Sequence, residues 1–195
     1  MPFPSLSWWR TAFSKKAILI NQAEHYRKMN HRNRYELAGP QGRQMLNIPL
    51  KGGRNQKRPM EEVQICYDTD WQGNHWKTIR TLYQRSPFFE YFAEDIQTLF
   101  LEKTGGLCDW SLKSILTINR LLDLKINITT TGYYQENQSG TLPDPGEIMS
   151  LHPPGISNNI TYHQVFENRS GFLPDCSILD LLFCEGNHAP LLLKP

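Results

Sequence analysis

A polar segment near the start of the chain has residue types that bind anions and move protons. Residues 24–34 contain two imidazoles, four cationic side chains and a phenol. They follow the apolar run 17–21, and α/β proteins often place binding groups where the chain leaves a strand. The planar guanidiniums of Arg32 and Arg34 suit bidentate contact with phosphate or carboxylate, and in an extended chain they share one face, with Asn33 on the other. The segment predicts an anion site; a solvated basic stretch leading into a hairpin is the alternative.

A second polar cluster, residues 74–77 (NHWK), lies in a segment with helical spacing. His75 shares a face with Trp71, Ile79 and Leu82, which predicts partial burial of the imidazole. A half-buried neutral imidazole beside a basic cleft can act as a general base. Helical spacing alone favours the other interpretation, a core histidine that is hydrogen-bonded to the backbone.

One acidic side chain interrupts an apolar run near the end of the chain. Asp180 lies within residues 178–183 (ILDLLF), where burial of a carboxylate is costly unless it is paired or hydrogen-bonded. We expect its partner to be an arginine or histidine of residues 25–34, or Arg169. Such a carboxylate serves either in an internal salt bridge or in orienting a catalytic histidine.

The small net charge of +2 hides an uneven distribution of charge. Residues 1–60 contain twelve Lys and Arg but only two Asp and Glu, which gives a formal charge of +10. Residues 61–195 contain nine Lys and Arg and seventeen Asp and Glu, which gives a formal charge of −8. Such a division can mark an anion-binding half of a protein. The anion could be nucleic acid, a nucleotide, a sugar phosphate or the acidic half of the same chain.

Length and motifs exclude several classes of protein. A chain of 195 residues is long enough for one domain with a real core, and no apolar run reaches the roughly 18–20 residues of a membrane span. The first residues lack the features of a secretory signal, and the four cysteines form no CxxC pair, so we expect a soluble cytoplasmic protein with reduced thiols. No standard catalytic or phosphate-loop motif is present. The sequence predicts no metal site and identifies no cofactor.

Hydrophobic periodicity places these residues on an α/β or α+β fold, a single domain with a small mixed sheet, an N-terminal hairpin and three central helices. Residues 132–160, rich in Gly, Pro, Ser and Asn, predict a long irregular loop. Helices are predicted over residues 5–15, 88–103, 107–124 and 178–184, the last with Ser177 as its cap. One further helix is predicted to begin at the cap Asp70 and to end or kink at Pro87. Strands 34–38 and 43–50 are predicted to form a hairpin around the turn Gly39-Pro40-Gln41-Gly42. The other predicted strands are 17–21, 62–67, 125–131 and 161–166.

Several ordered blocks of residues carry a resemblance to a known family. They are Glu24-His25-Tyr26, Arg32-Asn33-Arg34, residues 46–50 (LNIPL), Trp71 with His75-Trp76-Lys77, Tyr83 with residues 86–91 (SPFFEY), Tyr162 with Gln164-Val165-Phe166, Arg169, Gly171-Phe172 and residues 177–183 (SILDLLF). Over most of its length the chain resembles the WbqC-like proteins, a bacterial family often encoded among genes for O-antigen and other surface polysaccharides. Members of that family usually begin with a strand and a proline-containing turn; here that strand is missing or the start of the chain is clipped. Asp175-Cys176 and Asn187-His188 also depart from the family's pattern.

The resemblance implies a transferase that moves a glycyl or other amino-acyl group to an amino sugar during surface-polysaccharide synthesis. The substrate would be a phosphorylated or nucleotide-linked sugar. In this hypothesis, His25 or His75 takes a proton from the attacking amine and Asp180 orients the base or a cation. The expected substrate-binding residues are Tyr26, Arg32, Asn33, Arg34, Lys77 and Arg169.

A second hypothesis is a non-catalytic module that binds a polyanion or a partner protein through the basic N-terminal half. Nucleic acid is not favoured as the polyanion, because the sequence shows no aromatic residues interleaved with basic ones on a strand platform. The enzyme hypothesis requires that residues 24–34 and 74–77 face one cleft.

Overall fold

The computed structural model describes residues 1–27, 31–53, 55–131, 148–149 and 160–194. The helices are α1 Leu6–Lys15, α2 Trp71–Tyr83, α3 Phe89–Leu101, α4 Leu107–Leu121, α5 Glu167–Ser170, α6 Ile178–Glu185 and α7 Ala189–Leu192. The strands are β1 Ala17–Asn21, β2 Arg34–Gly39, β3 Gly42–Asn47, β4 Asn127–Thr131 and β5 Ile148–Met149. These elements confirm the α/β class, the N-terminal hairpin and the block of three central helices.

The described strands form two small sheets. β1 is the centre of a parallel sheet with the order β4-β1-β5, and Ile18 and Ile20 point from it into the core. β2 and β3 form an antiparallel hairpin in which Arg34 pairs with Asn47 and Gly39 with Gly42. Gly42 has a φ of +107°, a backbone conformation that a glycine adopts without strain. The hairpin therefore turns where the glycines predicted it.

The predicted strand over residues 62–67 is wrong. Met60–Glu62 form a 3₁₀ turn, and the backbone that follows makes isolated bridges, Leu50 with Ile65 and Gln64 with Gly106. Because each of these neighbours offers a single residue for pairing, no ladder extends along the segment. Alternating polarity here reflects packing between two loops.

The predicted strand over residues 161–166 is also wrong. Tyr162 and Gln164 are buried and Thr161 and His163 are exposed, which reproduces the alternation of a strand, but this segment pairs with no strand among the described residues. The buried side chains pack on α6 and hydrogen-bond to it. Most of residues 132–160, the predicted irregular loop, lies outside the described residues; its described part consists of β5 and Ile160.

Buried apolar residues form one continuous cluster, with aromatic rings at its centre. Trp110 lies between Phe3, Trp71 and Phe100, with ring centroids 5.5 to 5.6 Å apart. Edge and tilted contacts of this kind stabilise a core beyond the area that they bury. In the described part of the chain no helix is both long enough and apolar enough to cross a membrane.

α6 packs against both the N-terminal and the central helices. All its residues from Ile178 to Cys184 are buried. Ser177 caps it by accepting a hydrogen bond from the Leu179 amide, and Gly186 ends it with a φ of +53°. A Cβ at Gly186 would lie 2.4 Å from the Phe88 ring, so only glycine fits against the start of α3.

The prediction that Asp180 pairs with a cationic side chain is wrong. Its buried carboxylate accepts hydrogen bonds from the Tyr83 hydroxyl (2.8 Å), the Tyr162 hydroxyl (2.5 Å) and the Gln164 amide (2.7 Å). Arg169 is exposed at the surface. Three neutral donors satisfy the carboxylate without the cost of burying a guanidinium as well.

Burial raises the pKa of the Asp180 carboxyl, and the hydrogen bonds from Tyr162, Tyr83 and Gln164 offset part of that rise. Because the folded state favours the neutral acid, protonation of Asp180 stabilises the fold, and this contribution is complete below the unfolded-chain pKa of about 3.9. It is lost as the pH rises through the higher pKa of the folded state.

We expect Asp180→Asn to lower the free energy of unfolding by about 1–3 kcal/mol, because one carboxylate acceptor is lost and a buried hydroxyl remains unpaired. The difference from the native chain should grow as the pH falls from neutral toward 4, since asparagine lacks the titrating group. Urea unfolding at several pH values measures both effects. Asp123→Asn, at an exposed position, is the matched control. If the difference in stability between Asp180→Asn and the native chain became smaller as the pH falls, the raised pKa of Asp180 would be contradicted.

Candidate functional site

A polar pocket of about 280 Å³ lies between the start of α1, strand β2 and the residues that precede α6. Its apolar wall is formed by Met1, Phe3, Trp8 and Tyr35. Its polar lining consists of Ser5, Ser7, His31, Arg34, Glu36, Arg43, Asp175 and Ser177. The polar pocket therefore combines hydroxyls, two guanidiniums, two carboxylates and an imidazole in one small volume.

Asp175 joins the two ends of the chain at this pocket. Its carboxylate accepts a hydrogen bond from the Ser7 amide (2.7 Å) and another from the Ser7 hydroxyl (2.9 Å). It thereby caps the first turn of α1, where backbone N–H groups lack partners and negative charge is favoured. The backbone beside it pairs with the same turn, since the Leu6 amide donates to the Cys176 carbonyl at 3.1 Å.

The opposite wall is held by the hairpin. Arg43 donates to the Glu36 carboxylate at 2.9 Å and also to the carbonyl of Pro174. The Ser177 amide donates to the Glu36 carbonyl at 2.8 Å. These bonds link β2 and β3 to the residues before α6, so both walls of the polar pocket are fixed by hydrogen bonds.

His31 supplies the imidazole of the polar pocket. It lies in the 3₁₀ turn His31–Asn33, directly before β2, and is partly buried. Burial lowers the pKa of His31; nearby Arg34 adds to that effect, and Glu36 opposes it. The ring is therefore neutral at neutral pH and can accept a proton.

Three predicted site residues, Tyr26, Arg32 and Asn33, are buried and do not line the pocket. Arg32 is 1% exposed and forms an ion pair with Glu24. Burial lowers the pKa of the Arg32 guanidinium, and Glu24 acts in the opposite direction. The Tyr26 hydroxyl donates to the Asn33 side chain at 3.1 Å, and the Asn33 amide donates to the Ile48 carbonyl at 2.9 Å. These contacts hold the segment after β1 against the hairpin.

His75 is a core histidine. It is 5% exposed, and its ring contacts Trp71 at 5.1 Å and Tyr35 at 5.6 Å between centroids. Nε2 lies 3.2 Å from the Asn47 carbonyl, which can only accept, so Nε2 carries the proton. Nδ1 then accepts from the Tyr35 hydroxyl at 3.0 Å. Both ring nitrogens are engaged, which favours the structural interpretation of this residue over a general base.

The remaining predicted residues lie outside the polar pocket. His25, Lys77 and Arg169 are exposed, and Asp180 is enclosed by its neutral donors. Arg34 is the predicted residue found in the pocket lining. The expected single cleft, with residues 24–34 and 74–77 on one surface, is therefore not formed by the residues that the structure describes.

Sequence reasoning missed His31, Glu36, Arg43 and Asp175 as pocket residues. His31 could have been predicted, because it belongs to the same polar segment as Arg32 and Arg34. No spacing rule connects Asp175 with Ser7, which are brought together only by the packing of α6 against α1. Across the described ranges, no three His, Cys, Asp or Glu side chains are grouped closely enough to hold a metal ion.

Comparisons with known proteins find sequence similarity over most of the chain. The sequence model of the WbqC-like protein family matches residues 3–153. The uncharacterized protein Rv1507c of Mycobacterium tuberculosis (strain ATCC 25618 / H37Rv) is 26% identical over 222 aligned positions, which cover 95% of this chain and 93% of that protein. No solved structure matches the chain.

The environment of His75 predicts its protonation state. Burial lowers the pKa of His75 to about 4 although its hydrogen bond to the Asn47 backbone opposes this. The stability that this neutral ring contributes is complete above the unfolded-chain pKa of about 6.5 and is lost as the pH falls toward 4.

We expect ¹H–¹⁵N spectra of the imidazoles to show His75 as the neutral Nε2–H tautomer throughout the range from about pH 5.5 to 8. His75→Gln identifies the signal by its disappearance, and His25→Gln, at an exposed position, is the matched assignment control. An Nδ1–H tautomer, or protonation of His75 within this range, would show that the hydrogen-bond directions are reversed.

Proposed function

Because the chain belongs to the WbqC-like protein family, we propose that it binds a phosphorylated amino sugar in the polar pocket and transfers an amino-acyl group to the sugar amine. The observation that carries the proposal is the neutral imidazole of His31 placed among cations, carboxylates and hydroxyls. An amino sugar phosphate carries the complementary groups: an anion, an amine and several hydroxyls.

The size of the pocket supports a monosaccharide as the ligand. A volume of about 280 Å³ lies just below the range for small-molecule sites, about 300–1,000 Å³. A sugar phosphate fits such a volume, whereas the nucleotide part of a nucleotide-linked sugar would extend beyond it. We therefore assign the pocket to the sugar and its attached phosphate.

Several of the polar groups have a role in this proposal. Arg34 binds the phosphate, for which a planar guanidinium is well suited. Ser5 contacts a sugar hydroxyl. Asp175 holds the amine, since its carboxylate lines the pocket and is fixed in place by the two hydrogen bonds that it accepts from Ser7.

The transfer step requires a base and an activated donor. The lone pair of the sugar amine attacks the acyl carbon of the donor, and the bond to the leaving group breaks with its electrons. His31 takes the proton that the amine loses. General-base catalysis of this kind contributes about 10²–10⁴-fold to a rate. Tyr26, Arg32 and Asn33 act as positioning residues, because they hold the turn that carries His31.

The reaction that we propose belongs to surface-polysaccharide synthesis and takes place in the cytoplasm. The family resemblance supports the assignment to surface-polysaccharide synthesis.

A second candidate function is binding without catalysis. Two basic segments lie side by side, since the Tyr26 amide donates to the Arg58 carbonyl at 2.8 Å and His25 pairs with Pro59. Arg27, Lys57 and Arg58 are exposed there. Such a surface attracts a polyanion or an acidic partner by long-range electrostatics that salt weakens.

Arg34→Gln tests the binding site. We expect it to weaken the binding of glucosamine 6-phosphate, measured by calorimetry, by about tenfold or more, because it removes the charged hydrogen bonds to the phosphate. Lys77→Ala, which removes an exposed cation outside the pocket, should leave the affinity unchanged. Equal losses in the two variants would show that the sugar phosphate binds by general charge attraction.

His31→Asn tests the transfer. With a glycyl thioester as the donor probe, formation of glycylated sugar followed by mass spectrometry should fall by about 10²-fold or more, while sugar binding persists. Sugar binding by the native chain without any transfer would favour the non-catalytic function. Unchanged transfer by His31→Asn would exclude His31 as the base.

A further inference from the structure

A second cavity, of about 500 Å³, lies at the other end of α6 from the polar pocket. It opens between the α2–α3 connection and the segment that leads into α5. Arg85 and Arg169 line it, and we call it the arginine groove. Ser177 at the start of α6 lines the polar pocket and Cys184 in its last turn lines the groove, so about 10 Å of helix separates the two sites.

Within the part of the chain that the structure describes, no acidic side chain pairs with the arginines of the groove. Arg85 and Arg169 are exposed, and neither side chain has a hydrogen bond or ion pair with any residue that the structure describes. Glu167 follows the lining residue Phe166, but its carboxylate accepts from the backbone amide of Gln164 and lies 3.4 Å from His163 Nδ1. Two guanidiniums on one cavity repel each other unless an anion lies between them.

The rest of the lining contains no further Lys, Arg, Asp or Glu and is partly apolar. Pro87, Val165 and Phe166 contribute ring and aliphatic surface. The hydroxyl of Ser86 is not available to a ligand as a donor, because it donates to the Tyr83 carbonyl at 2.7 Å. Burial raises the pKa of the Cys184 thiol, so the floor of the groove carries no thiolate. A ligand of matching chemistry has an anionic end and a larger uncharged body.

We propose that the arginine groove binds a nucleoside phosphate, with the phosphate between Arg85 and Arg169 and the base against Pro87 and Phe166. The volume of about 500 Å³ exceeds what inorganic phosphate needs and lies within the usual range for organic ligands. Guanidiniums bind phosphate in a bidentate manner, and flat side chains accept a planar ring. The site is separate from the polar pocket and does not depend on the function proposed for it.

Calorimetry with the full chain and three probes, uridine monophosphate, uridine and inorganic phosphate, tests this site. The monophosphate should bind about tenfold or more tightly than either fragment, because only the monophosphate carries both the phosphate and the base. Its affinity should fall as salt is added, since the arginines are exposed. Binding of inorganic phosphate as tight as that of the monophosphate, or absence of monophosphate binding, would overturn the proposal.

The double variant Arg85→Gln/Arg169→Gln should weaken monophosphate binding by about tenfold or more without lowering the melting temperature, because neither side chain has a partner in the described structure. Arg80→Gln, at an exposed position of α2 outside the groove, is the matched control and should bind as the native chain does. Arg34→Gln should also leave this binding intact, which separates the groove from the polar pocket. An unchanged affinity in the double variant, or an equal loss in either control, would assign the binding elsewhere.

Discussion

The carboxylate of Asp180 is buried in the middle of α6, and its need for hydrogen bonds determines what packs around that helix. Tyr83 reaches it from the end of α2, and Tyr162 and Gln164 reach it from the segment before α5. The Tyr83 hydroxyl also accepts from the Ala38 amide of β2 at 3.2 Å, which brings the hairpin into the same network. A buried acid without donors would cost several kcal/mol, so these four elements have little freedom to move apart.

We assign two cavities of the described structure to ligands, and the position of α6 determines where both of them lie. Its N-terminal end meets α1, where Asp175 caps the first turn and Ser177 donates to the Phe3 carbonyl at 3.0 Å. Its C-terminal end meets the α2–α3 connection, where Gly186 permits close contact with Phe88. The helix thus provides a rigid, apolar support, and the polar groups are placed on the loops at its two ends, which is the usual division between scaffold and site.

Residue types associated with catalysis serve the fold in several places. His75 fills an aromatic core and joins α2 to both hairpin strands, through Tyr35 and the Asn47 carbonyl. Arg32 ties the segment after β1 to the turn before β2 through Glu24. In each case burial decided the role, because an imidazole or guanidinium enclosed by protein has no solvent-filled space in which to meet a substrate. His31 belongs to the same segment as Arg32 but lines the polar pocket.

The sequence by itself determined the elements whose signals are local. The amphipathic spacing of α2 to α4, the caps Asp70 and Ser177, and the turn at Gly42 each depend on a few neighbouring residues, and all were predictable. The sequence also marked Asp180 as a buried acid and residues 24–34 as a polar segment. Only the tertiary structure decided that neutral donors satisfy Asp180, that His75 is enclosed, and that Asp175 meets Ser7. Those outcomes depend on burial and on partners far away in the chain, and neither is encoded in local periodicity.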